Sequence, residues 1–218
     1  MEGFFDFIPL AMRCPLCLSE SLTLMPGAHV FYDCPTCHGI FRPVNTLPDP
    51  DFEMHRYLLH KNDPGDAGYR KFVTPLCDAI LANFSANDSG LDFGSGTNSA
   101  VTAILRERGY GVTEYDPFFA PDTSTLEKRY AFISCCEVME HFHDPALEFE
   151  RLYNLLSPGG KLFCMTHLWE DSGDFAKWYY KNDPTHVFIY RRPTIGYIKN
   201  TFGFADAAID GRLIVFSK

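Results

Sequence analysis

Four cysteines, a glycine turn and a cluster of acids and histidines carry the chemistry written into this 218-residue chain. Cys14-Pro15-Leu16-Cys17 and Cys34-Pro35-Thr36-Cys37 stand in the C-x2-C-x16-C-x2-C spacing of a zinc site. Each pair forms a knuckle whose tight turn aims two thiolates at one point, and two knuckles complete a tetrahedron. Redox dithiols are the competing reading of the same residues. His38 follows the last cysteine, but four thiolates already fill the tetrahedron, so it reads as a surface residue.

The second constellation is Leu91-Asp92-Phe93-Gly94-Ser95-Gly96-Thr97-Asn98-Ser99-Ala100. A strand end, a glycine turn and a helix start bring backbone N–H groups to an open crevice, with the positive helix end facing it. The Gly-x-Gly-x-Asn spacing lacks the third glycine of a dinucleotide fingerprint. Asp92 suits a ligand with a cationic amine better than one with a pyrophosphate. Asp116, at the C-terminal end of the next expected strand, is placed to take two ribose hydroxyls. Glu114 alternates to the same face and is a rival.

Glu137, Glu140 and His141 share the i, i+3, i+4 spacing that puts side chains on one face. His186 follows in Asp183-Pro184-Thr185-His186. Three roles are open for this group: a divalent-metal site, a histidine general base, or a structural tie that holds a loop.

The elements that must position these groups follow from pattern and punctuation. Residues 1–45 read as a small zinc-binding module, a hairpin around Pro26-Gly27 between two knuckles, too poor in apolar residues to fold without metal. Residues 46–68 read as a connector with a short helix near Phe52–His60, and residues 69–218 as the main domain. A helical stripe over Tyr69–Asn83 contains Pro75, which should start or kink the helix. Strands at 91–93, 109–116, 131–136 and 161–166 alternate with helices at 99–108, 145–156 and 193–202. Leu147, Phe149, Leu152, Leu155 and Leu156 form the expected buried side of the 145–156 helix. Two last strands joined at Asp210-Gly211 form a hairpin. The fold class is therefore α/β: a mostly parallel sheet with one antiparallel strand, preceded by the zinc-binding module. Pro117–Arg129 is too short to hold a further helix, strand and helix.

Composition sets the outer bounds. The chain is 46% hydrophobic and 22% charged with a net charge of −9, as expected of one soluble α/β domain and a small appendage. The acidic balance argues against a broad basic surface for nucleic acid. No apolar run reaches membrane-span length, and the acidic start Met1–Phe7 lacks the cationic flank of a signal peptide. A cytoplasmic protein with reduced or metal-bound cysteines is expected.

From about Gly90 to Lys218 the chain resembles the class I S-adenosylmethionine-dependent methyltransferases, with their Rossmann-like sheet. Leu91-Asp92-Phe93-Gly94-Ser95-Gly96 is similar to that family's cofactor motif, Asp116 to its ribose acid, and Leu155-Leu156-Ser157-Pro158-Gly159-Gly160 to the turn before its fifth strand. Cys135-Cys136-Glu137-Val138-Met139-Glu140-His141 with Asp144-Pro145 is similar to the fourth-strand motif of one branch. The resemblance implies S-adenosylmethionine as cofactor. Asp92, Gly94, Ser95 and Gly96 would surround its methionine end, Asp116 its ribose, and Cys136 and Glu137 would flank it from the fourth strand. Asp122 is a candidate for the adenine contact by position alone. His141, His186 and Glu140 are the implied catalytic candidates. Similar Glu-x-x-Glu-His stretches bind a divalent metal in some ribose and ubiquinone-pathway methyltransferases.

The expected function is methyl transfer to a small-molecule acceptor, with Cys14, Cys17, Cys34 and Cys37 holding zinc. Tyr69 and Arg70 could close on a ligand. Phe118, Phe119, Trp169, Trp178, Tyr179 and Tyr180 are the candidate acceptor-pocket lining. Two alternatives stand beside it. One is an RNA-base methyltransferase that uses the zinc module, with Arg13 and Arg42, as its reader. The other is a non-catalytic cofactor-binding scaffold whose zinc module docks a protein partner.

Overall fold

The computed structural model describes residues 11–21, 23–25, 29–59 and 63–218. The expected Pro26-Gly27 turn, the Met1–Phe7 start and the end of the expected connector helix at His60 lie outside them. Short N-terminal strands β1 (Met12–Arg13) and β2 (Glu20–Ser21) pair with one another. The strands β3 (Thr23–Met25), β4 (Phe31–Asp33) and β5 (Ile40–Phe41) belong to a separate sheet. Helix α1 (Pro50–Leu58) starts where Asp49 accepts from the Phe52 N–H and Pro50 occupies the first turn.

Helix α2 (Ala67–Asn83) continues through Pro75, so Pro75 lies inside the helix and does not start it. Pro75 is exposed, so its ring faces water and costs the helix one N–H without disturbing the buried stripe of Val73, Leu76, Cys77 and Ile80. After α2 come β6 (Gly90–Phe93), α3 (Ala100–Glu107), β7 (Val112–Tyr115), β8 (Tyr130–Cys136), α4 (Pro145–Leu155) and β9 (Leu156–Met165). The chain ends through β10 (Phe188–Ile189), α5 (Arg192–Phe202), β11 (Asp206–Asp210) and β12 (Leu213–Ser217).

The central sheet has the order β11-β12-β9-β8-β6-β7, and only β12 runs against its neighbours. That is the expected mixed sheet with its six strands, and the short stretch between β7 and β8 forms a 3-10 turn at Thr123–Glu127 and no strand, as its length requires. The Ser157-Pro158-Gly159-Gly160 turn is an irregularity inside β9. Gly159 there has φ 75°, and a Cβ on Gly160 would lie 2.8 Å from the Ala131 carbonyl oxygen.

Alternation along β8 sends Phe132 to one face and Ile133 to the other. Phe132 packs with α2 and α3 through Leu76, Ile80, Val101 and Leu105. Ile133 shares the opposite layer with Phe149 and Leu152 of α4 and Ile195 and Ile198 of α5. Leu147, expected on the buried side of α4, is 48% exposed. It lies about 200° around the helix from Phe149, so the stripe through Phe149, Leu152 and Leu155 leaves it outside.

The N-terminal module is not a separate bead. β10, from the main domain, pairs antiparallel with β5 and gives the second sheet the order β10-β5-β4-β3. Cys14, Leu16, Tyr32 and Phe41 are continuous with the core layer that holds Phe188 and Tyr190. No helix among the described residues is long and apolar enough to cross a membrane.

Phe149 is fully buried and touches the rings of Phe142, Tyr190, Phe202 and Phe216. Phe149→Ala should lower the free energy of unfolding by about 3–5 kcal/mol in a denaturant titration. A loss below about 1 kcal/mol would contradict this packing account.

Candidate active site

A cavity of about 740 Å³ opens at the carboxyl ends of β6, β7 and β8, the edge where open α/β sheets bind ligands. The turn after β6 forms its floor. Gly94 and Gly96 have φ 78° and 63°, and a Cβ on Gly94 would stand 2.5 Å from Val138 Cγ2. Both positions therefore require glycine.

The N–H groups of this turn are already engaged. Gly94 and Ser95 donate to the Tyr115 carbonyl at 2.8 and 3.2 Å, and Gly96 donates to Asp116 Oδ2 at 2.9 Å. Asp116 Oδ1 accepts from the Phe118 and Phe119 N–H groups at 2.9 and 3.0 Å. A carboxylate has about four lone-pair sites, so buried Asp116, with three donors in place, keeps acceptor capacity for a further donor. Glu114 pairs with Arg106 at 2.8 Å and does not line the cavity, which separates it from Asp116. Asp92 is buried at the end of β6, accepting from Thr102 Oγ1 at 2.8 Å and Ser134 Oγ at 2.7 Å. Burial pushes its carboxyl above the usual range, against the pull of those hydrogen bonds. Ser95 Oγ is buried with no partner.

At the far wall, the end of β8 places Cys136 on the cavity and the segment after it places Glu137, Glu140 and His141. His186 joins them from the stretch before β10, and its ring centre lies 4.9 Å from that of His141. His141 Nδ1 donates to the Thr185 carbonyl at 2.8 Å and His186 Nδ1 to the Tyr180 carbonyl at 2.6 Å. A carbonyl can only accept, so both neutral rings carry their proton on Nδ1 and their lone pair on Nε2.

Glu140 is fully buried; Oε1 accepts from the Tyr180 hydroxyl and Oε2 has no partner. Glu137 Oε2 accepts from Arg212 Nη2 at 2.6 Å, and its Oε1 is likewise buried without a partner. Burial raises the Glu137 carboxyl to about 8, helped by the Glu140 charge, and burial raises Glu140 to about 7. Ligand atoms of Glu140, His141 and His186 lie within 4.8 Å of one another, close enough to hold one metal ion.

Several lining residues carry no signal in the sequence. Helix α1, expected as part of a connector, roofs the cavity with Glu53 and Tyr57. Glu53 Oε1 accepts from His143 Nε2 at 3.1 Å, and the Tyr57 ring meets His141 edge-on at 5.3 Å. The Asp49-Pro50 start marks the helix, but nothing local marks where it lies. Tyr69 lines the cavity as expected, whereas Arg70 turns away to Glu107 at 2.5 Å. Phe118 and Phe119 also line it. Trp169, Trp178 and Tyr179 do not. Trp169 and Trp178 pack with Phe175 in a cluster with Phe31 and Ile40 of the N-terminal sheet, and Tyr180 serves the two glutamates from behind. Asp122 is exposed and caps the 3-10 turn, accepting from Ser124 N, outside the cavity.

The four N-terminal cysteines converge. Cys14 and Cys37 Sγ are 3.4 Å apart, Cys17 and Cys34 Sγ 3.3 Å, and all four lie within 4.8 Å of one another. A tetrahedron with Zn–S bonds of ~2.3 Å has edges of about 3.8 Å, so the donor set fits that ion. The two knuckles share one geometry. The Leu18 and His38 N–H groups donate back to the Cys14 and Cys34 carbonyls, and both residues sit at φ 61°. His38 is exposed, as expected. No disulfide joins any of the eight cysteines.

The raised glutamates have a thermodynamic consequence. A carboxyl whose folded value is raised gives stability that is complete below the unfolded value and is lost as pH rises through the folded one. Thermal stability should therefore fall from pH 4.5 to about 8, and Glu140→Gln should flatten that slope. Melting curves across this range check it; an identical slope in wild type and Glu140→Gln would contradict it.

Residues 67–209 match the family model described as a methyltransferase domain. The chain is 27% identical over 92 residues to the ubiquinone biosynthesis O-methyltransferase of Pseudomonas savastanoi pv. phaseolicola, covering 42% of this chain and 39% of that protein. It is 28% identical over 86 residues to the enzyme of the same name from Serratia proteamaculans, covering 39% and 36%. The chain thus spans about two-fifths of the length of these curated relatives. Among solved structures, 1,6-didemethyltoxoflavin-N1-methyltransferase of Burkholderia thailandensis, bound to 1,6-didemethyltoxoflavin and S-adenosylhomocysteine, superposes with TM-score 0.55 at 16% identity, over 85% of this chain and 97% of that one. Human N-acetylserotonin methyltransferase in complex with SAM gives 0.51 at 11%, over 68% and 53%. The chain belongs to the methyltransferase-domain family, and its main domain has the class I S-adenosylmethionine-dependent methyltransferase fold.

Proposed function

We propose that this protein transfers the methyl group of S-adenosylmethionine to a hydroxyl of a small, uncharged or cationic acceptor. The observation that carries the reading is the charge and hydrogen-bonding state of the cavity. Seven acidic side chains line it against one arginine, Arg151, which is itself held by Glu148 at 2.6 Å; with burial pushing Asp92, Glu137 and Glu140 toward their neutral forms, the remaining acids still outnumber it. The turn N–H groups that would cradle a phosphate are bonded to Tyr115 and Asp116. Such a site repels pyrophosphate and favours a sulfonium with an α-amine. When bound, the cofactor supplies an electrophilic methyl group, and much of the rate comes from aligning donor and acceptor.

Asp116 would hold the ribose, and Asp92, Ser95 and the glycine turn the methionine end. Cys136 and Glu137 would border the cofactor from β8. Buried Ser95 Oγ, with no protein partner, supports a polar ligand at the turn. His141 and His186 would take the acceptor proton through Nε2, with Glu140 behind them. Transfer to oxygen draws support from the O-methyltransferase names of the curated relatives. A divalent cation on Glu140, His141 and His186 is a second reading, favoured by the partnerless Glu140 Oε2; it would lower the pKa of an acceptor hydroxyl. We also assign zinc to Cys14, Cys17, Cys34 and Cys37. The RNA-reader alternative loses one of its two cations, because the Arg42 guanidinium is spent on the carbonyls of Pro184 and Thr46.

Calorimetry should show S-adenosylmethionine binding and no binding of NAD. Asp116→Ala should weaken the former at least tenfold, since one hydrogen bond to a charged group is worth about 1.5–3 kcal/mol. Unchanged affinity would remove Asp116 from the ribose role. Elemental analysis should find one zinc per chain, lost in Cys34→Ser; a metal-free, fully folded protein would overturn that assignment. A chelator that abolishes turnover while this zinc stays bound would establish the second reading, and unaffected turnover would leave the histidines as bases.

A further inference from the structure

The cysteine module and the histidine pair are joined by one short stretch of chain, residues 183–191. On one side this stretch completes the N-terminal sheet, with Phe188 opposite Phe41 and Ile189 opposite Ile40. The Arg42 N–H donates to the Val187 carbonyl at 2.9 Å, and Arg42 Nη1 donates to the Pro184 carbonyl at 2.5 Å. Arg191, buried, forks onto Asp33 at 2.7 and 2.9 Å and donates to the His38 carbonyl at 2.9 Å.

On the other side the same stretch is bonded to the segment after β8. The Val187 N–H donates to the Glu140 carbonyl at 2.9 Å, and the Thr185 carbonyl accepts from His141 Nδ1. His186 stands between Thr185 and Val187, so its backbone is fixed from both directions.

The second knuckle reaches this stretch by direct contact. Gly39 closes the knuckle, its carbonyl accepting from the Cys34 N–H, and a Cβ there would lie 2.2 Å from the Phe188 ring. Phe188 is fully buried against the backbone that follows the last cysteine. Any change in the knuckle is thus transmitted within two residues of His186.

We propose that the cysteine module is a positioning element of the active site. Through Arg42 and the Gly39–Phe188 contact it holds His186 against His141. The module then needs no partner or nucleic acid to have a role: it templates the loop that delivers one half of the imidazole pair. Arg42 is a positioning residue, acting through the carbonyls on either side of His186. The catalytic meaning of this placement rests on the acceptor-side reading of the two histidines; the placement itself does not.

The test is imidazole NMR on the full-length, metal-bound chain, with signals assigned through His141→Asn and His186→Asn. In the wild type both rings should show the fixed Nδ1–H tautomer. Arg42→Ala should shift both signals and average the His186 tautomer, while S-adenosylhomocysteine affinity changes less than twofold. Arg42→Lys, which keeps a donor for the Pro184 carbonyl, should restore part of the shift and carries the test if Arg42→Ala fails to fold. Stripping the metal from the wild type should perturb the same two signals. Imidazole signals unchanged in the folded Arg42 variant, or on metal removal, would overturn the proposal. Failure of the acceptor-side reading would appear separately, as full methyl transfer by His186→Asn.

Discussion

The carboxylate of Asp116 decides what the glycine turn can bind. It sits at the end of β7, buried, and takes N–H groups from Gly96 on one side and from Phe118 and Phe119 on the other. The Tyr115 carbonyl takes those of Gly94 and Ser95. A glycine turn ahead of a helix is usually an anion trap, because its N–H groups point outward with the helix dipole behind them. Here the same groups are turned onto the neighbouring strand. What faces the cavity is negative charge, and the ligand that suits such a surface is cationic.

Around that floor, the other walls add acidity and one polar exception. Burial disfavours ionisation of both Glu137 and Glu140, and the Glu140 charge adds to the effect on Glu137. Tyr180 and Arg212 relieve part of it from behind. The histidine pair faces the same space, and its tautomers are set by backbone carbonyls and not by carboxylates. The roof comes from α1, so the segment joining the two parts of the chain closes the cavity as well as connecting them.

Much of this was legible in the sequence because it is local. The order of β6, α3, β7, β8, α4 and β9 follows from periodicity and caps, since Ser99 and Asp144 cap their helices as their types require. The knuckle spacing reports four converging thiols for the same reason. The loss of a strand between β7 and β8 followed from chain length alone. What stayed hidden depends on tertiary placement. A two-residue strand such as β10 has no periodicity to read, so the join between the module and the main domain is invisible in one dimension. Glu53 and Tyr57 lie on an ordinary amphipathic turn, and only its docking makes them cavity residues. Trp169 and Trp178 have the composition of a pocket lining, yet burying large rings against Phe31 and Ile40 satisfies them equally well. The Asp92 and Asp116 side chains read as ligand contacts, but Asp116 is also the hydrogen-bond centre of the turns beside it and Asp92 ties β6 to Thr102 of α3 and Ser134 of β8.

The most direct measurement is a crystal structure of the protein grown with S-adenosylhomocysteine. The account predicts the ribose on the Asp116 carboxylate, the amine end beside Asp92 and Ser95, and the Gly94, Ser95 and Gly96 N–H groups still bonded to Tyr115 and Asp116. A nucleoside bound elsewhere, or a turn whose N–H groups have swung out to meet the ligand, would contradict it.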